Sequence, residues 1–68
     1  MSKWTHVEIN DQGRVVSRMK HPPQSAINGA YGRGHRVVVL PAPGAILLGA
    51  TMTALPPGSW LAKPQVQP

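Results

Sequence analysis

Val37–Ala62, VVVLPAPGAILLGATMTALPPGSWLA, is the stretch whose reading decides this fold, because it holds most of the large apolar side chains and no charged residue. Arg36 and Lys63 bound it. A membrane helix needs about 20 continuous apolar residues. Pro41, Pro43, Pro56 and Pro57 cut this stretch to Ala45–Leu55, which also contains Gly49, Thr51 and Thr53. A broken span would leave backbone polar groups unpaired in lipid, so a membrane role is disfavoured. The stretch is expected to hide against protein.

Within it, Arg36-Val37-Val38-Val39-Leu40 reads as a strand, and its consecutive branched side chains predict burial on both faces. Pro41-Ala42-Pro43-Gly44 is expected to turn the chain. In Ala45–Leu55 the residues Ile46, Leu48, Ala50, Met52 and Ala54 alternate as a strand would. Helix is the alternative, with Ile46, Leu47, Ala50 and Ala54 on one side. Gly49, Thr51 and Thr53 lower helix propensity and favour strand. Pro56-Pro57-Gly58 stops it, Ser59–Ala62 adds a short apolar patch, and residues 63–68 read as an extended tail.

Residues 4–20 give the clearest local signal outside that stretch. WTHVEI, NDQG and RVVSRMK predict a β-hairpin. Its three-residue loop is Asp11-Gln12-Gly13, with Gly13 in the left-handed position that a Cβ would penalise. Asn10 then faces Arg14. One face carries Thr5, Val7, Ile9, Val15, Ser17 and Met19, and the other Trp4, His6, Glu8, Val16, Arg18 and Lys20. Glu8 falls opposite Val16, and Trp4 opposite Lys20. His21-Pro22-Pro23 ends the second strand. Residues 21–35 then read as a Pro/Gly-rich, irregular and adaptable loop, given glycines at 29, 32 and 34.

The expected fold is mainly β within one small domain, residues 1–68. A hairpin at 4–20 and the loop at 21–35 precede one or two further extended strands in the uncharged 36–62. Much of the remaining chain is irregular, with little or no helix. Sixty-eight residues bury a smaller fraction of their surface than a larger domain does. Phenylalanine is absent and Trp4, Tyr31 and Trp60 are the three aromatic residues, so bulky core fillers are scarce. The absence of cysteine excludes a disulfide framework.

These features disfavour catalysis. Glu8 and Asp11 are the two carboxylates, and they read as a strand charge and a turn residue. Serines 2, 17, 25 and 59 have no activating context, and so short a chain leaves little room for a water-excluding pocket. His6, His21 and His35 lie fourteen or fifteen residues apart, without metal-site spacing. No enzyme, cofactor or metal is expected. The start MSKWTHVEIND lacks the apolar core of a signal peptide, and a virion or cytoplasmic setting is expected.

Two roles remain. The first is a structural subunit of a large assembly, homo- or hetero-oligomeric, most concretely a minor bacteriophage tail, connector or capsid-associated protein. It would offer Val37, Val38, Val39, Leu40, Ile46, Leu48, Met52 and Trp60 to neighbouring subunits. Its formal charge of +5 would help it dock on acidic ones. The second is a small basic nucleic-acid-binding or ribonucleoprotein-associated protein using Tyr31, Arg33, His35 and Arg36. There Gly29-Ala30-Tyr31-Gly32 matches the GXXG spacing of the RNA-binding KH loop, without the flanking helical pattern.

Overall fold

The computed structural model describes residues 3–52 and 54–65. The protein is mainly β, as its sequence predicts. Strands β1 (Trp4–Ile9), β2 (Val15–Met19), β3 (Arg36–Gly44) and β4 (Trp60–Ala62) form one antiparallel sheet in the order β2-β1-β3-β4. Helix α1 (Gln24–Gly32) links β2 to β3.

The β1–β2 hairpin closes through the expected loop. Asn10 N–H donates to Arg14 O (3.0 Å), Gly13 N–H donates to Asn10 O (3.0 Å), and Gly13 has φ +79°. Asn10 Oδ1 also accepts from the N–H groups of Gln12 and Arg14, both at 2.9 Å. Beyond the loop the register differs from expectation. Ile9 faces Val15, but Glu8 faces Ser17 and Val7 faces Arg18, so Val16 is the extra residue of a β-bulge. The bulge exchanges the faces of everything after it. Ser17 and Met19 join Glu8 on one side, and Arg18 joins Val7 on the other. Strict alternation missed this because the side-chain period of two reverses with a single inserted residue.

The expected loop at 21–35 is instead helix over Gln24–Gly32. β2 and β3 are both antiparallel to β1 and flank it, so they run parallel to each other. A parallel connection must cross a sheet face, and a helix does so with its backbone bonds satisfied. Pro23, extended at φ −67° and ψ 161°, opens α1, and its carbonyl accepts from Ala26 and Ile27. At the other end Gly34 takes φ +81°. Gly34 N–H donates to Tyr31 O and His35 N–H to Ala30 O, both at 3.0 Å. These are the two bonds of a Schellman cap, with Gly34 in the position that glycine fills.

β3 runs through Pro41-Ala42-Pro43-Gly44 rather than turning there. The prolines are accommodated by a register shift. His6 pairs with Val39 and Trp4 with Gly44, so Thr5 alone faces Leu40–Pro43. Among its described residues, Ala45–Leu55 contains neither strand nor helix. Its ladder contact is one bridge, Thr51 to Arg14, supported by bonds of Gly49 N–H to Val15 O, Val15 N–H to Ala50 O and Met52 N–H to Gly13 O. The segment crosses the sheet as a cover; Thr53 lies outside the described residues. The short apolar patch at Ser59–Ala62 becomes edge strand β4, pairing Val37 with Ala62, Val38 with Leu61 and Val39 with Trp60.

Each sheet face has its own cluster. Val7, Ile9, Val15 and Val38 are buried on one, against Leu40, Ile46 and Met52. Val37 is buried on the other with Ile27 and Ala30 of α1, and Met19, Tyr31 and Ala62 pack around them. Val37 and Val38 of β3 are thus buried on opposite faces, by parts of their own chain.

The start of the tail is strapped to α1. Asn28 Nδ2 donates to Gln65 O (3.0 Å) while its Oδ1 accepts from Gln65 N–H (2.9 Å). One turn earlier, Gln24 Nε2 donates to Lys63 O (3.1 Å) and to Asn28 Oδ1 (3.0 Å). The pair thus acts as a substitute strand, one helical turn matching two extended residues. The expected extended tail at 66–68 lies outside the described residues.

Two expectations follow from these contacts. A Cβ at Gly13 would stand 2.7 Å from the backbone oxygen of Met52, whereas one at Gly34 would meet open space. Gly34→Ala should therefore lose about 1 kcal/mol in urea unfolding, from the left-handed backbone alone, and Gly13→Ala about 3 kcal/mol. Asn28→Ala should speed amide exchange at Gln65 while leaving Val7 and Val38 protected.

Candidate functional site

A buried carboxylate holds the sheet to the end of the helix. Glu8 projects from the middle of β1 on the α1 side, where it would be unstable unpaired. Arg33, the C-cap residue of α1, reaches it with a forked contact: Nη2 to Oε1 at 3.0 Å, Nη2 to Oε2 at 3.1 Å and Nε to Oε2 at 3.3 Å. His35 lies just past the Schellman turn, with Nδ1 2.6 Å from Oε2. A carboxylate only accepts, so His35 Nδ1 carries the hydrogen. Burial raises the Glu8 carboxyl, but the hydrogen bonds and charges of His35 and Arg33 outweigh it, holding Glu8 below its ordinary value of 4.5.

This cluster absorbs much of the predicted nucleic-acid loop. Arg33 and His35 turn inward to Glu8, and the Tyr31 hydroxyl donates to Ala62 O, tying α1 to β4. Gly29-Ala30-Tyr31-Gly32 is the last turn of α1, not a loop between two helices. Arg36 is exposed at the start of β3 and stands apart from the cluster. The missed signal was the pairing of Ala26, Ile27, Ala30 and Tyr31 at helical spacing with a glycine at position 34.

The predicted interface residues separate into three groups. Val37 and Val38 are fully buried in the chain's own clusters and are corrected from interface to core. Val39, Leu40, Ile46 and Met52 are half-buried, with Leu40, Ile46 and Met52 closing the Val7 cluster. Leu48 and Trp60 are each 56% exposed. Sequence reasoning passed over Leu47 (76% exposed), Leu55 and Leu61 (37% exposed) as interface residues.

Trp60 and Leu61 matter most, because they sit on β4, a sheet edge whose three residues carry no charge. Edge strands are usually guarded by charge, proline or a covering segment. β2, the other edge, is covered at its first residue by the bonds of Val15 to Gly49 and Ala50. Arg36 and Lys63 lie one rung beyond the Val37–Ala62 pair, placing two exposed cations at one end of β4.

Among the described residues, no three His, Cys, Asp or Glu side chains gather as a metal site would, and no helix is long and apolar enough to cross a membrane. No protein-family model, curated protein or solved structure matches this chain.

The Glu8 cluster makes stability depend on acid. Its folded-state value is lowered, so its contribution is complete above about pH 4.5 and is lost as pH falls through the lower folded value. The urea midpoint should therefore fall more steeply below pH 4.5 in the native protein than in Glu8→Gln. At pH 7 the variant should be less stable by about 2 kcal/mol, a moderate figure because the Arg33 side chain is 58% exposed.

Proposed function

We propose that this chain is a non-enzymatic structural subunit of a larger protein assembly, and that β4 is the edge it offers to a neighbour. A minor virion protein of the tail, connector or capsid-associated kind is one instance of that role. The observation that carries the reading is the uncharged β4 edge, with Trp60 and Leu61 exposed, while segments of the same chain cover both faces of the sheet.

An extended strand of a neighbouring subunit would add to this edge, its main chain supplying hydrogen bonds and its alternate side chains covering Trp60 or Leu61. Tryptophan at the centre of such a contact contributes a large area at small entropic cost. Arg36 and Lys63, the chain neighbours of the Val37–Ala62 pair at one end of the edge, favour an acidic residue on the incoming strand. Leu47, Leu48 and Leu55 extend the apolar surface along the covering segment. The role differs from wholesale strand donation, because the sheet is already assembled and the neighbour adds to it.

Without its neighbour, an unguarded edge should self-associate. Light scattering of the purified chain at micromolar concentration should give a species larger than 7.3 kDa. Trp60→Arg should return it to monomer with its unfolding midpoint little changed. A wild-type monomer at every concentration, unaltered by Trp60→Arg, would overturn the proposal.

A further inference from the structure

The hairpin's open end, where β1 begins and β2 finishes, gathers Trp4, Arg18 and Lys20, which the expected alternation had also placed on one face. The Arg18 guanidinium carbon lies 4.8 Å from the Trp4 ring centroid, and the Lys20 ammonium lies 5.4 Å from it. The β-bulge matters here. It places Arg18 on the Val7 side, where its Nη1 donates to Ile46 O at 2.7 Å. That bond fixes the guanidinium and leaves its other N–H groups for a ligand.

Both flanks add positive or titratable groups. Lys3 precedes Trp4 and is exposed, and His21 follows Lys20. His21 has a left-handed backbone at φ 44°, with its N–H donated to Thr5 Oγ1 at 2.8 Å. The same hydroxyl shares a 2.7 Å hydrogen bond with His6 Nδ1.

Charge balance separates this group from the Glu8 cluster. Of the chain's two acids, Glu8 is enclosed with Arg33 and His35, and Asp11 lies at the opposite end of the hairpin. Among the described residues, Lys3, Arg18 and Lys20 have no carboxylate within ion-pair distance. Arg33 is the one Lys or Arg side chain paired with an acid among the described residues. Of the others, Arg18 and Lys20 lie against an aromatic ring, with Lys3 next to it in sequence.

We infer that Lys3, Trp4, Arg18 and Lys20 form a binding surface for single-stranded nucleic acid. The cations take successive phosphates and Trp4 meets a base. Polyanion chemistry follows from the unpaired cations, and the choice of a nucleic acid follows from the ring among them. Phosphate neutralisation and base–aromatic contact act together in sequence-tolerant single-strand binding. An acidic peptide would satisfy the cations without using the ring. A duplex is disfavoured because the surface presents a sheet end, with no helix or ribbon to enter a groove. This surface lies on the β1–β2 side of the sheet, two strands from β4, so it is independent of the proposed subunit contact.

The test uses the whole chain carrying Trp60→Phe, so that Trp4 is the sole tryptophan and reports from within the surface. Titration with oligothymidylate should change Trp4 emission. The logarithm of affinity should fall against the logarithm of salt with a slope of about −2, roughly −0.7 for each of three phosphates neutralised. Lys3→Gln combined with Lys20→Gln should weaken binding about tenfold and bring the slope to about −0.7. These two side chains are exposed, so the thermal midpoint should hold and separate lost binding from lost folding. Arg36→Gln with Lys63→Gln removes equal charge at the β4 end and should weaken binding much less. Unchanged Trp4 emission, equal losses in the two double variants, or equal competition by polyglutamate at matched charge would each overturn the inference. The last result would assign the surface to an acidic protein.

Discussion

Placing a carboxylate in the middle of a sheet obliges the rest of the fold to answer it. Glu8 is enclosed between β1 and α1, and without partners its charge would be unfavourable by several kcal/mol. Its partners come from the last residue of the α1 cap and the first residue beyond the left-handed Gly34. The Schellman turn therefore does more than end a helix. It delivers Arg33 and His35 to the same carboxylate from the end of a helix that Ile27 and Ala30 already seat on the sheet. The sheet, the helix and the entry to β3 are joined at that point, and the valines of β3 follow into their two clusters.

Covering a small sheet on both faces with so few large side chains is the other constraint. Helix α1 closes one face with Ile27 and Ala30, and the irregular segment after β3 closes the other with Ile46 and Met52. Neither cover is bulky. Directional bonds supplement them: Asn28 and Gln24 hold the tail, Tyr31 holds β4, and backbone groups of residues 49–52 bond to the hairpin at Gly13 and Val15. Cover runs out at β4, where Trp60 and Leu61 remain in water. The proposed subunit contact begins where the internal supply of apolar area ends.

Much of the hairpin was legible from local chemistry. Asn10, Gly13 and the apolar alternation around them define a loop that needs no distant partner. The bulge at Val16 was not legible, because alternation continues in either register and the choice is made by β3 and residues 45–52 packing on the result. The same slip carried Arg18 away from Glu8 and toward Ile46. Helix α1 was hidden by Gly29 and Gly32, whose low propensity is offset by burial of Ile27 and Ala30 against Val37. Tyr31, Arg33 and His35 looked available for a ligand because their internal acceptors, Ala62 O and Glu8, are 25 to 31 residues away along the chain.

By itself the sequence determined a mainly β chain, a hairpin with its loop residues, a strand beginning at Arg36, and an excess of positive charge with few acids to balance it. These depend on turn chemistry, β-branching and composition, which act over a few residues. Tertiary structure alone decided that 24–32 is helix, that 45–52 is cover rather than strand, and which cations are neutralised. Those outcomes depend on which face is left open after the sheet pairs and which buried charge needs an answer, and neither exists until distant segments meet.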